Sequence, residues 1–142
     1  MSINNGLYTS NTDEWETPQY LFDKLNWIFG FDLDVCANEQ NKKCERYFDK
    51  EANGLNQPWG GYKVWCNPPY GRQIGLWVKK AAESVDGNTL IVMLLPARTD
   101  TRWYHDYIAH NPNAHIVFLK GRIKFGEAKA NAPFPSMIVV FV

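Results

Sequence analysis

The chain reads as a single α/β domain on a mostly parallel sheet with an antiparallel strand at its C-terminal edge, and three observations predict this. Apolar runs of strand length alternate with segments of helical spacing through most of the 142 residues. The run at 90–95, Leu-Ile-Val-Met-Leu-Leu, is unbroken, as expected of a strand buried on both faces of a parallel sheet. The last two strand-like runs, 116–119 and 137–142, have no helical segment between them, so the final one is expected to return antiparallel.

Each element has its own signal. Residues 1–12, polar and rich in Asn, Ser and Thr, read as a loose terminus ahead of a domain at 13–142. Thr17-Pro18 makes a helix start, with Thr capping exposed amides and Pro at the first helical position; Leu21, Leu25 and Ile28 follow at helical spacing and Gly30 ends the helix. Residues 31–37 read as a short strand with Asp34 near its end, running into the polar loop 38–43. Between 44 and 61 the pattern is weaker, with Arg46-Tyr47-Phe48 as a short strand and turns at Asn53-Gly54, Pro58 and Gly60-Gly61. Val64-Trp65-Cys66 is a β-type run that stops at Pro68-Pro69, since proline cannot continue a central strand. Ile74, Trp77, Val78, Ala81 and Ala82 share one helical face, and Trp103, Tyr104, Tyr107 and Ile108 mark another helix that ends by Pro112. Ligands in such sheets bind beyond the carboxyl ends of the strands. Asp34 and Asn67 both fall at such ends, which predicts a shared crevice.

Composition narrows the functional classes. No stretch approaches the roughly 20 apolar residues of a membrane span, and the first residues have neither the basic start nor the apolar run of a signal peptide, so a soluble cytoplasmic protein is expected. Cys36, Cys44 and Cys66 form an odd set without C-x-x-C spacing, which reads as reduced thiols and not as a metal site. The net charge of zero conceals an asymmetry. Residues 1–62 hold ten acids against five bases, and residues 63–124 hold nine bases against four acids. A basic second half is what a polyanion-binding face requires, although a solvated surface gives the same count.

The sharpest chemical signal is Asn67-Pro68-Pro69-Tyr70. Two prolines after a strand give a stiff loop with no neighbouring amide donors, while Asn67 adds a side-chain carbonyl. That pairing suits a target bearing two N–H donors. An aromatic amine is a poor nucleophile because its lone pair is delocalised into the ring. Acceptors on both of its hydrogens, from the Asn67 side chain and the Pro68 carbonyl, favour a pyramidal nitrogen and direct the lone pair toward an electrophile. Tyr70 would stack on the base. A plain strand-terminating turn needs neither Asn before the prolines nor Tyr after them.

Asn67-Pro68-Pro69-Tyr70 resembles the catalytic motif of amino methyltransferases, and its setting resembles the phage DNA N-6-adenine-methyltransferase (Dam) family. The resemblance runs from Trp15-Glu16-Thr17-Pro18 through Asp34-Val35-Cys36-Ala37, Asn53-Gly54-Leu55, Trp65-Cys66 and Trp77-Val78-Lys79-Lys80-Ala81 to Phe134-Pro135-Ser136-Met137. It implies a Rossmann-like methyltransferase fold, a phage- or prophage-encoded enzyme at work in a bacterial host, and S-adenosylmethionine as methyl donor. Thr17, Pro18, Asp34, Ala37 and Asn53 would then contact the donor, with Asp34 accepting from ammonium or ribose hydroxyls. Two departures stand out: residues 37–41 hold no glycine, and Asn53 stands where an acid would more obviously bind the donor's adenine amine. The segment Arg122-Ile123-Lys124-Phe125 resembles the one that supplies a second aromatic against a flipped base, so an apolar slot between Tyr70 and Phe125 would receive the target. Arg98, Arg122 and Lys124, with Arg102, are candidate phosphate contacts. His105, His110 and His115 receive no role, because the methylated ammonium is acidic enough to lose its proton to water. The same acceptor geometry would serve cytosine N4, RNA or a protein glutamine, and the missing glycine turn leaves an inactive nucleic-acid-binding module open. The length leaves no room for a sizeable target-recognition domain, which suggests short or relaxed specificity, or a homodimer that shares the task.

Overall fold

A computed structural model describes residues 15–126 and 131–142 and places their strands in one mixed five-stranded sheet. The expected loose segment 1–12 lies outside the described residues. Helix α1 (Gln19–Phe29) turns its buried Phe22 onto Phe31 and the indole of Trp65, with ring centroids 5.6 and 5.4 Å away, and Gly30 closes it at φ 69°. Its start differs from the expectation. Pro18 occupies the cap position ahead of the first helical residue, its carbonyl accepts the amides of Leu21 and Phe22, and no side chain caps the end. Thr17 does not cap because its hydroxyl is engaged elsewhere.

Strand β1 (Leu33–Asp34) is shorter than the apolar run, but Asp34 also bridges Tyr47, with the Arg46 carbonyl and the Phe48 amide bonded to its backbone. The weak strand signal at 46–48 is therefore a one-residue extension of the sheet. A single 3₁₀ turn (Gly54–Asn56) leads to β2 (Lys63–Cys66), then α2 (Ile74–Ser84) and β3 (Leu90–Pro96). A short α3 (Arg102–Tyr104) continues as a π turn (His105–Ala109) before β4 (Ala114–Phe118) and β5 (Ser136–Phe141).

The sheet order is β1-β2-β3-β5-β4, with the first two pairings parallel and both pairings of β5 antiparallel. Four strands thus point one way and β5 alone returns, as expected. Its expected place at the edge is corrected: β5 lies inside the sheet and β4 forms the edge. The cause is apolar burial. Five of the six β5 residues are buried, whereas His115, Val117 and Phe118 of β4 stay exposed. An unbroken apolar run gains most between two neighbours, and an edge tolerates the mixed pattern.

This insertion shapes one end of the sheet. Pro96 pairs with Ser136 and Phe118 with Met137, so the connection from β4 to β5 leaves and re-enters at the carboxyl ends of the parallel strands. The Leu119 amide donates to the Ser136 carbonyl and the Ala97 amide to the Pro135 carbonyl, which seals that connection onto the sheet end. Residues after β1, β2, β3 and β4 therefore converge on one edge.

Candidate active site

Asn67 leaves β2 at that edge, and its amide is held from the N-terminal side. The Asn67 Nδ2 donates to the backbone carbonyl of Trp15 and to Thr17 Oγ1, the latter at 2.9 Å. A carbonyl can only accept, so the nitrogen must face Trp15 and the orientation of the amide is determined. Oδ1 then remains buried with no hydrogen-bond partner. Unsatisfied buried acceptors are uncommon and costly, and this one stands at the head of the Pro68-Pro69 loop with a lone pair that no group of the chain takes up. Pro68 is buried and Pro69 half-buried behind it.

Tyr70 turns inward. It is 4% exposed, and its hydroxyl donates to the Leu94 carbonyl of β3 at 2.8 Å. Burial pushes its pKa well above the usual phenol value, so it stays a neutral donor. Its ring meets Phe125 and Phe134 edge-on, at centroid distances of 6.2 and 5.6 Å, and Trp15 meets the same two phenylalanines at 5.5 and 5.1 Å. Four rings thus form one cluster. Tyr70 and Phe125 stand at 90° and touch, rather than framing an open slot of base width. Trp15 and Phe134 belong to this cluster although the residue-level reading singled out neither; their presence in the resembling stretches was the available signal.

Beside Asn67 lies a cleft of about 890 Å³, with Trp15 of the ring cluster in its lining. Among its lining residues are Thr17, Asp34, Ala37, Asn53, Asn67, Pro68 and Pro69, so the structure gathers all but one of the expected donor contacts with the head of the Asn67-Pro68-Pro69 loop. Pro18 is the exception: it is buried at the α1 cap and not in the lining. Trp77, Phe48, Lys43 and Asp49 also line the cleft and were not foreseen as site residues.

The floor of the cleft is organised by Asp34. Its Oδ1 accepts from the Cys36 amide at 3.2 Å and its Oδ2 from the Lys43 amide at 3.0 Å. These bonds wrap the loop after β1 around the carboxylate. Asparagine side chains complete the turn without glycine: Asn38 Oδ1 accepts from the Gln40 and Asn41 amides, and Asn41 Oδ1 from the Asn38 amide. Burial raises the Asp34 pKa to about 6, against the lowering pull of the two amides and the Lys43 charge. Asn53 sits at φ 58° and its side chain accepts from the Leu55 amide at 3.2 Å. The neighbouring Gly54 is required by space, since a Cβ there would lie 2.1 Å from the Val35 carbonyl and 3.1 Å from the Trp77 ring. Trp77 stacks on Trp59, and its buried Nε1 has no partner.

The basic candidates stand outside the cleft. Arg98 is exposed just beyond β3 with its guanidinium over the Phe134 ring, 5.9 Å from the centroid. Arg122 and Lys124 are exposed while the intervening Ile123 and Phe125 are buried, so this segment anchors by alternate residues and turns its cations to water. The cleft itself carries Glu16, Asp34, Asp49 and Glu51 against Lys43 and Lys50. A net-acidic cleft suits a cationic ligand, and cations on the neighbouring loops suit a polyanion. Among the described residues no group of three His, Cys, Asp or Glu side chains could hold a metal ion, and no helix is long and apolar enough to cross a membrane.

Comparisons with known proteins bear on the same stretch of chain. The profile of a family described as DNA N-6-adenine-methyltransferase (Dam) matches residues 5–141. A protein of Escherichia phage T1 named DNA N-6-adenine-methyltransferase is 41% identical over 110 residues, which is 76% of this chain and 45% of that protein. Another of the same name, from Haemophilus phage HP1 (strain HP1c1), is 33% identical over 148 aligned residues, covering 99% of this chain and 85% of that protein. The chain thus spans most of one phage relative and less than half of the other.

Proposed function

This chain belongs to the DNA N-6-adenine-methyltransferase (Dam) family, and from that premise we propose that it methylates the exocyclic amine of adenine in DNA, with S-adenosylmethionine as donor, on a Rossmann-like methyltransferase fold. The observation that carries the reading is the Asn67 amide: both N–H groups are engaged and Oδ1 is buried without a partner.

The residues divide the work between two sides of Asn67. Bound in the acidic cleft, S-adenosylmethionine would supply an electrophilic methyl group on a sulfonium. Asp34, Ala37 and Asn53 would hold it, with Thr17 and Pro18 nearby. The fit rests on the size of the cleft, its excess of carboxylates, and the second lone pairs that the Asp34 oxygens retain beside their amide bonds. Across Asn67, the adenine amine would donate one hydrogen to Oδ1 and the other to the Pro68 carbonyl. Those bonds localise the nitrogen lone pair and stabilise the positive charge that develops on nitrogen as it attacks. Water takes the proton afterwards.

The aromatic cluster of Trp15, Tyr70, Phe125 and Phe134 would receive the base. Its rings now satisfy one another, so capture exchanges ring–ring contacts for ring–base contacts. Arg98, Arg122 and Lys124 would bind backbone phosphates around the extruded nucleotide. Incubation with donor and duplex DNA, followed by digestion and nucleoside mass spectrometry, tests the reading. N6-methyladenine is expected; N4-methylcytosine, or no modified base from a chain that binds donor, would contradict it.

A further inference from the structure

Thr17 is a buried threonine at 4% exposure that caps no helix, although only Pro18 separates it from the start of one. Its Oγ1 accepts the Asn67 Nδ2 at 2.9 Å, while the other hydrogen of that nitrogen goes to the Trp15 carbonyl. A carboxamide held through both hydrogens cannot rotate about its last side-chain bond without breaking both contacts. The direction of Oδ1 is set by the same two bonds.

The segment that makes these bonds is itself anchored. Pro18 is tied into the first turn of α1, since its carbonyl accepts from Leu21 at 3.1 Å and Phe22 at 3.2 Å. The Glu16 carbonyl accepts from the Gly126 amide at 2.8 Å, and a Cβ on Gly126, at φ 53°, would stand 3.3 Å from the Glu16 side chain. Trp15 is wedged against Phe125 and Phe134. Residues 15–18 therefore cannot follow Asn67 if its amide turns; they hold it.

We propose that Thr17 is a positioning residue for methyl transfer, fixing the Asn67 amide so that Oδ1 meets the target amine before the base arrives. This rests on the adenine-methyltransferase reading and differs from a donor-contact role for Thr17. A donor contact would act on donor affinity, whereas a residue acting through Asn67 changes turnover and leaves the donor alone.

Thr17→Val keeps the shape and removes the acceptor. Single-turnover rates at saturating donor and DNA should fall about ten- to a hundredfold, somewhat less than the loss of the whole preorganised contact. Donor dissociation constants from calorimetry should stay within about twofold, and Thr17→Ser should recover the rate to within about threefold because it restores the hydroxyl. In an Asn67→Ala background, Thr17→Val should cost no further rate, since two residues that act through one contact are not additive. Should the valine chain fail to fold, Thr17→Cys, whose thiol accepts only weakly, provides the same comparison. Weaker donor binding with turnover preserved, or rate losses from Thr17→Val and Asn67→Ala that multiply, would overturn the proposal. A wild-type rate from Asn67→Ala alone would take Asn67 out of the chemistry, and this proposal with it, whereas N4-methylcytosine or no modified base from the unaltered chain would instead overturn the adenine reading.

Discussion

Asp34 carries a carboxylate that is 2% exposed, and the consequences can be tested by pH. Its folded pKa of about 6 lies above the ordinary 3.8, so the folded chain binds a proton more readily than the unfolded one. The resulting stabilisation is fully present below about pH 4 and is lost as the pH rises through 6. A shift of that size corresponds to something on the order of 3 kcal/mol. Asp34→Asn removes the titration and adds a constant penalty, because its amide nitrogen would meet the Cys36 or Lys43 N–H. Denaturant unfolding should therefore show the wild type gaining on Asp34→Asn between pH 7 and pH 4. Affinity for the cationic donor should move the other way, falling below pH 6 as the carboxylate is neutralised. A difference in stability that is flat with pH would mean that Asp34 titrates as an ordinary surface acid. Tyr70 offers a second test at this scale. Tyr70→Phe forfeits the bond to the Leu94 carbonyl, about 1 kcal/mol, and should keep most activity. Tyr70→Trp should lower the melting temperature, because the enlarged ring has no space in a position 4% exposed.

At the scale of elements, the contact of the 3₁₀ turn with Val35, just after β1, and with α2 limits what the cleft tolerates. Gly54→Ala must push the backbone away from the Val35 carbonyl and Trp77, which should cost about 3 kcal/mol or more in denaturant unfolding and weaken donor binding together with it. Unchanged stability would show that this approach is looser than 2.1 Å implies. Much of this architecture was legible in the chain. The prolines after Cys66 marked the end of β2, and the run at 90–95 marked a strand covered on both faces. Other parts were not, for identifiable reasons. The lack of a helix before β5 revealed its direction but not its neighbours, and the interior place follows from burial that appears only once β4 is seen to be half exposed. Thr17 has the chemistry of a helix cap, and local sequence cannot tell a capping hydroxyl from one that reaches Asn67 fifty residues away. The turn at Asn67-Pro68-Pro69-Tyr70 could be read because it is local; the ring cluster around Tyr70 could not, since it joins residues 15, 70, 125 and 134.

For the molecule as a whole, charge is sorted by place. The cleft is net acidic, as a cationic donor would require, while Arg98, Arg122 and Lys124 stand exposed on loops at the same end of the sheet. Phosphate contacts release counterions, so DNA affinity should fall steeply with salt, and replacing Arg122 or Lys124 by Ala should reduce the slope of log affinity against log salt by about 0.9 for each contact removed. An unchanged slope in both variants would place the DNA on another face. The most direct test of the central claim is single-turnover methyl transfer to duplex DNA by Asn67→Ala, with saturating donor and with donor affinity and melting measured on the same sample. Loss of the preorganised acceptor should slow the formation of N6-methyladenine by about a hundred- to a thousandfold with donor binding and fold intact. Transfer at the wild-type rate by the folded variant would take Asn67 out of the chemistry and contradict the account.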